Sequence, residues 1–203
     1  MGIDHVGVLV GDGEFPREQS LSQARDIAAA LVSGAKLSAL FLTARTDFII
    51  AWARELKPAI LHLGAAPELL GPDQVSIITN ALPKCLIMRS VPVVNDESVR
   101  IAQAYEPIAD YLLLDSHRAS DKQIGALGVT HDWSISRRIV ERIRTPVVLA
   151  GGLGLDNVAD AIRTVRPAGV DSKTKTDRDG SHAKDLERVR RFREAAVAAI
   201  DGG

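Results

Sequence analysis

The stretch Val147-Val148-Leu149-Ala150-Gly151-Gly152-Leu153-Gly154-Leu155-Asp156-Asn157-Val158 reads as a buried strand, a glycine turn and a helix opened by Asp156. Four consecutive apolar residues suit a strand covered on both faces. The glycines admit positive φ and let backbone amides approach a ligand with no Cβ in the way. A helix N-terminus aimed at that turn adds partial positive charge, which favours an anion such as phosphate. The same residues would also serve as a bare corner between strand and helix, so the surrounding chain has to decide.

Working outward, the strand-then-helix pattern recurs on both sides. Upstream, His5 to Val10, Leu37 to Thr43, Ala59 to Leu63, Cys85 to Val91 and Tyr111 to Asp115 read as strands. Between them, Ser20-Leu21-Ser22-Gln23 has capping-box spacing and opens a helix with Leu21, Ala24, Ile27, Ala28 and Leu31 on one face, closed by Gly34. Thr46 to Leu56 is a helix stopped by Pro58, and further helices are expected over Asp73 to Leu82, Asp96 to Tyr105 and Ser134 to Arg144. The longest connection runs from His117 to Trp133. Downstream, Asn157 to Val165 is a helix ended by Pro167, and Gly169-Val170-Asp171 is a short final strand. Asp185 caps a last helix with Leu186, Val189, Phe192, Ala196 and Ile200 on one side.

Strands alternating with helices at this spacing mean βα units and a parallel sheet. About seven strands can be read, one fewer than a closed (β/α)8 barrel of the TIM type needs. A doubly wound open sheet would be expected to show G-x-G-x-x-G after its first strand. Gly11-Asp12-Gly13 is followed by Glu14, Phe15 and Pro16, so that fingerprint is absent. No linker or low-complexity segment interrupts residues 1–203, which points to one α/β domain of the TIM (β/α)8 type with its first βα unit missing or replaced.

Composition narrows the function. With 46% hydrophobic residues, 25% charged and only 4% aromatic, the core is aliphatic, as in parallel sheets. A net charge of −1 argues against a nucleic-acid partner and for a small-molecule substrate. Cys85 is the only cysteine, which removes an internal disulfide, argues against a cysteine-based zinc site and fits a cytoplasmic location. No apolar run is long enough for a membrane span, and the N-terminus lacks the pattern of a signal peptide.

In barrels of this type phosphate is held after the last two strands. Gly151-Gly152 and the segment from Ser172 to Thr176 stand there, offering backbone amides, the Ser172 and Thr174 hydroxyls and Lys173 or Lys175. A merely solvated loop would read the same way.

These residues carry a family resemblance. Leu113-Leu114-Asp115-Ser116 resembles the LLD[ST] strand of phosphoribosylanthranilate isomerases, and Gly128-Val129-Thr130-His131-Asp132-Trp133 resembles their G-x-T-x-x-D-W loop with one residue fewer. Leu149 to Leu153 with Asn157 matches LAGGL-x-x-x-N, Gly169-Val170-Asp171 matches GVD, and Lys184-Asp185 matches the terminal K-D. Nearer the start, Pro16-Arg17 resembles S-P-R with Phe15 in place of the serine, and Leu61-His62-Leu63-Gly64 departs from Q-L-H-G by placing its histidine on the other strand face. No role therefore passes to His62.

The resemblance implies an isomerase of tryptophan biosynthesis that needs no cofactor and no metal. It would catalyse the Amadori rearrangement of N-(5-phosphoribosyl)anthranilate to 1-(2-carboxyphenylamino)-1-deoxyribulose 5-phosphate. It implies Asp115 as general acid, Arg17 as partner of the anthranilate carboxylate, and Gly151, Gly152, Ser172, Lys173 and Thr174 at the phosphate. Read alone, Asp115 is better taken as a loop-bracing or helix-capping residue, which the matched LLDS context reverses, and Arg17 could equally be a surface residue at a helix start. The family's opening K-[IV]-C-G strand, whose cysteine acts as base, has no counterpart in Met1 to Asp4, and Cys85 stands at the wrong end of its strand. Either the natural protein lacks that unit or the sequence starts late. An exposed sheet edge is then expected, with a homodimer as one way to cover it. The base is left open among His5, His62, His117 and His131, so the rearrangement is either impaired or served by another residue. Two further readings stay open: a related barrel enzyme with a different phosphorylated substrate, or an inactive homologue that acts as a binding protein.

Overall fold

His5–Leu9 (β1), Lys36–Phe41 (β2), Ile60–Leu63 (β3) and Leu86–Val93 (β4) pair in parallel in chain order, with Val6 opposite Leu37, Ser38 opposite Ile60 and Ile60 opposite Leu86. Leu21–Ala30 (α1), Thr46–Leu56 (α2) and Pro72–Ala81 (α3) form the connections. The computed structural model describes residues 2–32, 34–116 and 130–202. It resolves into two units, Met1–Ser90 with Pro107–Tyr111, and Val91–Glu106 with Leu112–Gly203.

The first unit is built as an aliphatic sandwich of strand and helix. Ala39, Phe41, Ile60, Leu61 and Leu63 from the strands are buried, as are Ile49, Val75 and Ile78 from the helices. Ser20 caps α1 through a full capping box, as its spacing predicts. The helix ends earlier than expected: Leu31 is already extended, and Gly34, at φ 98°, lies beyond the end rather than closing it. Helix α2 keeps its predicted bounds, with Lys57 in the left-handed region as its cap.

One buried side chain in this unit is charged. Arg89, on β4, is fully buried and donates from Nη1 to the Leu63 carbonyl at 2.8 Å and from Nη2 to the Leu70 carbonyl at 3.2 Å. Those carbonyls begin and end a largely buried loop after β3, whose backbone acceptors need donors. Cys85 precedes β4, at the N-terminal end of its strand; it is half-buried, donates to the Pro58 carbonyl at 3.3 Å, and burial pushes its thiol up to about 11.

In the second unit, Glu97–Tyr105 (α4) is followed by Tyr111–Ser116 (β5), Trp133–Arg142 (α5), Val147–Leu149 (β6), Val158–Val165 (α6) and Gly169–Val170 (β7). A 3-10 turn at Thr174–Thr176 and the long helix Leu186–Asp201 (α7) complete it. Strands β5, β6 and β7 are parallel, with Leu114 opposite Leu149 and Leu149 opposite Val170. Asp185 caps α7 as expected, accepting from the amides of Glu187 and Arg188. Its buried side differs from the expected one. Phe192, Ala196 and Ala199 are buried, whereas Leu186 and Ile200, assigned to that side from the pattern, are exposed. Among the described residues no helix is long and apolar enough to cross a membrane.

Candidate active site

The register of the last three strands decides the site. The amide of Ala150 donates to Leu114 and the amide of Asp171 donates to Leu149, both at 2.8 Å, so the three strands end level. Asp115, the Gly151-Gly152 turn and Asp171-Ser172 therefore emerge side by side at the C-terminal strand ends. One cleft is lined by Asp115, Gly151, Gly152, Leu153, Asp171, Ser172, Lys173 and Thr174. It unites every site residue expected from the sequence except Arg17. Arg17 belongs to the first unit, where it is half-buried and holds φ 73°, a backbone state uncommon outside glycine.

The glycine turn is built as the sequence suggested, but its brace is different. Gly151 and Gly152 have φ 85° and 63°. The helix beyond begins at Val158 with Asn157 as its first flanking residue, not at Asp156. Asn157 ties the turn to the helix: its Oδ1 accepts from the Gly154 amide at 2.9 Å, and its Nδ2 donates to the Gly152 carbonyl at 3.1 Å. On the other side, the Ser172 hydroxyl donates to the Leu153 carbonyl at 2.7 Å, so it joins the two walls of the cleft.

The wall after β7 is held from below. Thr176 is buried and its hydroxyl donates to the Lys173 carbonyl at 2.9 Å. The Lys184 ammonium donates to the Lys173 carbonyl at 2.6 Å and lies 2.8 Å from the buried Asp177 carboxylate. The K-D pair before the last helix thus acts twice, Lys184 on the loop and Asp185 on the helix. A pattern match could place these residues, but not show which carbonyl they reach.

Asp115 is half-buried at the end of three buried leucines. Burial, with the nearby Asp171 carboxylate adding to it, pushes its carboxyl up to about 7, against the opposing pull of the Ser116 donors and Lys173. The Ser116 amide donates to Asp115 Oδ1 at 2.7 Å and fixes its orientation. At neutral pH such a carboxyl is divided between acid and carboxylate, which is what a proton donor requires.

Gly151 closes against this group. A Cβ there would stand 3.0 Å from His131 Nδ1 and 3.1 Å from both Asp115 Oδ1 and the Ser116 amide. Gly151→Ala is therefore expected to lower stability by about 1–3 kcal/mol through positive φ and crowding. It should also lower turnover by at least about tenfold by displacing the Asp115 carboxyl. Urea unfolding and initial rates of the variant check both effects.

His5 packs edge-on against Tyr111, with ring centroids 6.2 Å apart. His62 shares a 2.7 Å hydrogen bond with Ser90, and burial with the Arg89 charge beside it pushes it down to about 3. His117 lies outside the described residues, as do Gly128 and Val129 of the matched loop. Among the described residues no group of three His, Cys, Asp or Glu side chains is placed to hold a metal ion.

The family model of N-(5'-phosphoribosyl)anthranilate (PRA) isomerase matches residues 16–195. The isomerase of Methanocella arvoryzae is 33% identical over 194 residues, covering 95% of this chain and 87% of the relative. Among solved structures, mutually generated monomers of the dimeric isomerase from Thermotoga maritima superpose with a TM-score of 0.76 at 24% identity, covering 96% of this chain and 88% of that one. An isomerase in complex with reduced 1-(o-carboxyphenylamino)-1-deoxyribulose 5-phosphate superposes with a TM-score of 0.73 at 24% identity and the same coverage. These likenesses show an α/β fold of the TIM-barrel type.

Proposed function

The chain belongs to the phosphoribosylanthranilate isomerase family, enzymes of tryptophan biosynthesis, and from that premise we propose how its own residues perform the rearrangement. The observation that carries the reading is Asp115. Its half-buried carboxyl, with affinity for a proton raised to about 7, shares one cleft with the paired glycines and with Ser172, Lys173 and Thr174.

In this reading N-(5-phosphoribosyl)anthranilate lies with its phosphate against Gly151-Gly152 and Ser172-Lys173-Thr174. Backbone amides freed from Cβ crowding at Gly151 and Gly152, the Thr174 hydroxyl and the Lys173 ammonium are the donors offered there. The Ser172 hydroxyl is already committed to Leu153, so it positions the wall and can only accept. Arg17 is assigned to the anthranilate carboxylate, for which a guanidinium fork is suited.

Asp115 gives its proton to the furanose ring oxygen as the bond from that oxygen to C1 breaks. The ring oxygen leaves as a hydroxyl, and the anthranilate nitrogen lone pair forms the C=N bond. A base, which this reading leaves unassigned, takes the C2 proton to give the enolamine, which tautomerises to the ketose. The reduced product analogue held by the related isomerase supports this substrate, and the dimeric isomerase supports a homodimer as the assembly. A cytoplasmic location is the setting proposed for such a biosynthetic enzyme.

The phosphate assignment has its own test. Gly152→Asp would set a carboxylate where the ester's negative charge is to sit. Its KM for phosphoribosylanthranilate should rise by about 100-fold or more, with kcat much less affected. An unchanged KM would remove the phosphate from this turn. The function as a whole is tested by generating phosphoribosylanthranilate in situ and following its loss of fluorescence with wild-type protein and Asp115→Asn.

A further inference from the structure

Beneath Gly151 lies a group to which the family resemblance gives no role. His131 Nδ1 is buried and has no hydrogen-bond partner among the described residues, while its Nε2 shares a 2.7 Å hydrogen bond with the hydroxyl of Ser136, itself fully buried. Nδ1 and Asp115 Oδ1 stand 3.0 and 3.1 Å from one and the same point, the place a Gly151 Cβ would take. A buried polar atom without a partner is costly, and it is tolerated where a partner arrives during function.

We propose that His131 is a positioning residue for Asp115, whose Nδ1–H takes up the carboxylate that forms once Asp115 has given its proton away. This role requires the tautomer with hydrogen on Nδ1, in which Nε2 accepts from the hydroxyl of Ser136. Before the transfer Asp115 is a neutral acid and has little need of a further donor. Afterwards its oxygens carry the charge, and the neutral N–H that borders the same point at Gly151 can turn to it in a charge-assisted hydrogen bond. Gly151 is what lets the two approach, because any side chain there would occupy the space between them.

The charged surroundings favour this division of labour. Asp171 and Lys173 face Asp115 from the β7 side with opposite signs, and Asp132 faces His131 from the cap of α5. Burial outweighs the pull of Asp132 and holds the imidazole down to about 4, so at neutral pH it is an uncharged donor rather than an imidazolium. The bond proposed is therefore neutral donor to carboxylate, formed only in one half of the proton transfer.

This inference rests on Asp115 being the acid, but it can be read without turnover. Asp115 would be titrated by 13C NMR in protein labelled at aspartate, with Asp115→Asn used to identify the signal. In His131→Phe the Asp115 midpoint should rise by about one to two pH units, because the carboxylate has lost a donor. In His131→Asn, whose amide N–H stands near the place of Nδ1, it should return to within about half a unit of wild type. The alkaline limb of kcat should follow the same order. A midpoint unchanged or lowered in His131→Phe, in a variant that folds, would overturn the proposal and leave His131 as packing for Ser136. A midpoint raised equally in the Asn variant would overturn it too. Should Asp115→Asn keep its turnover while the midpoints shift as expected, the acid assignment falls and the coupling stands.

Discussion

Asp115→Asn is expected to lower turnover of phosphoribosylanthranilate by about 10²–10⁴-fold while making the fold more stable at pH 8. The first effect is loss of a proton donor, since the amide keeps the shape of the carboxyl but cannot give up a proton. With the wild-type carboxyl at about 7, the fraction in acid form falls tenfold per pH unit above that value, and kcat should fall with it. The Asn variant should show no such limb.

The second effect follows from proton linkage. The native carboxyl is raised to about 7 from an ordinary value of 3.8, so between those values the native state binds more protons than the unfolded one. Its contribution to stability is whole below about pH 4 and is lost as pH rises through 7. A rise of this size corresponds to about 4 kcal/mol at most, and partial exposure reduces it to about 2–3 kcal/mol. Urea unfolding should therefore show the Asn variant gaining on wild type between pH 4 and pH 8. A gap that does not change with pH would mean that burying the charge is not the burden described here.

The largest effect on folding is expected at Arg89. Arg89→Ala should destabilise by about 3–5 kcal/mol, because it opens a cavity and strips donors from buried carbonyls. The carbonyls are those of Leu63 and Leu70, which bracket the loop after β3. Arg89→Met refills much of the volume without the donors, so the difference between the two variants separates packing from hydrogen bonding. His62 gives an independent reading. The Arg89 charge is one of the two causes holding its imidazole down, so the His62 midpoint should rise in Arg89→Met above its value of about 3. Stability of Arg89→Ala within about 1 kcal/mol of wild type would show that the loop finds other donors.

The site was legible in part, for identifiable reasons. Asp115 and the paired glycines are picked out through the matched LLD[ST] and LAGGL motifs, since read alone they also suit a loop brace and a bare corner. Their meeting in one cleft follows from parallel register, which a strand pattern implies. His131 was visible as one of several histidines, with nothing local to single it out. Its nearness to Asp115 arises because the chain stands beside the end of β5 just before α5 begins, and the absence of a Cβ at Gly151 leaves room there. Asn157 was matched as part of a motif, yet its two hydrogen bonds to the turn depend on side-chain direction. The same limit explains α7, where the apolar spacing includes Leu186 and Ile200 although neither end of the helix is covered.

By itself the sequence determined the alternation of strand and helix, the parallel sheet and the aliphatic core. Those follow from properties that act over a few residues: the two-residue period of strands, the 3.6-residue period of helices, capping hydroxyls and glycine's freedom of φ. Tertiary structure alone decided that Arg89 is buried on two carbonyls, that His131 and Asp115 border the same point at Gly151, and that Lys184 holds the loop carrying Lys173. Each of these is a contact between residues distant along the chain or aimed by a particular rotamer. Hydrogen-bond energy depends on tenths of an ångström and on direction, and no pattern of residue types along a chain carries that information.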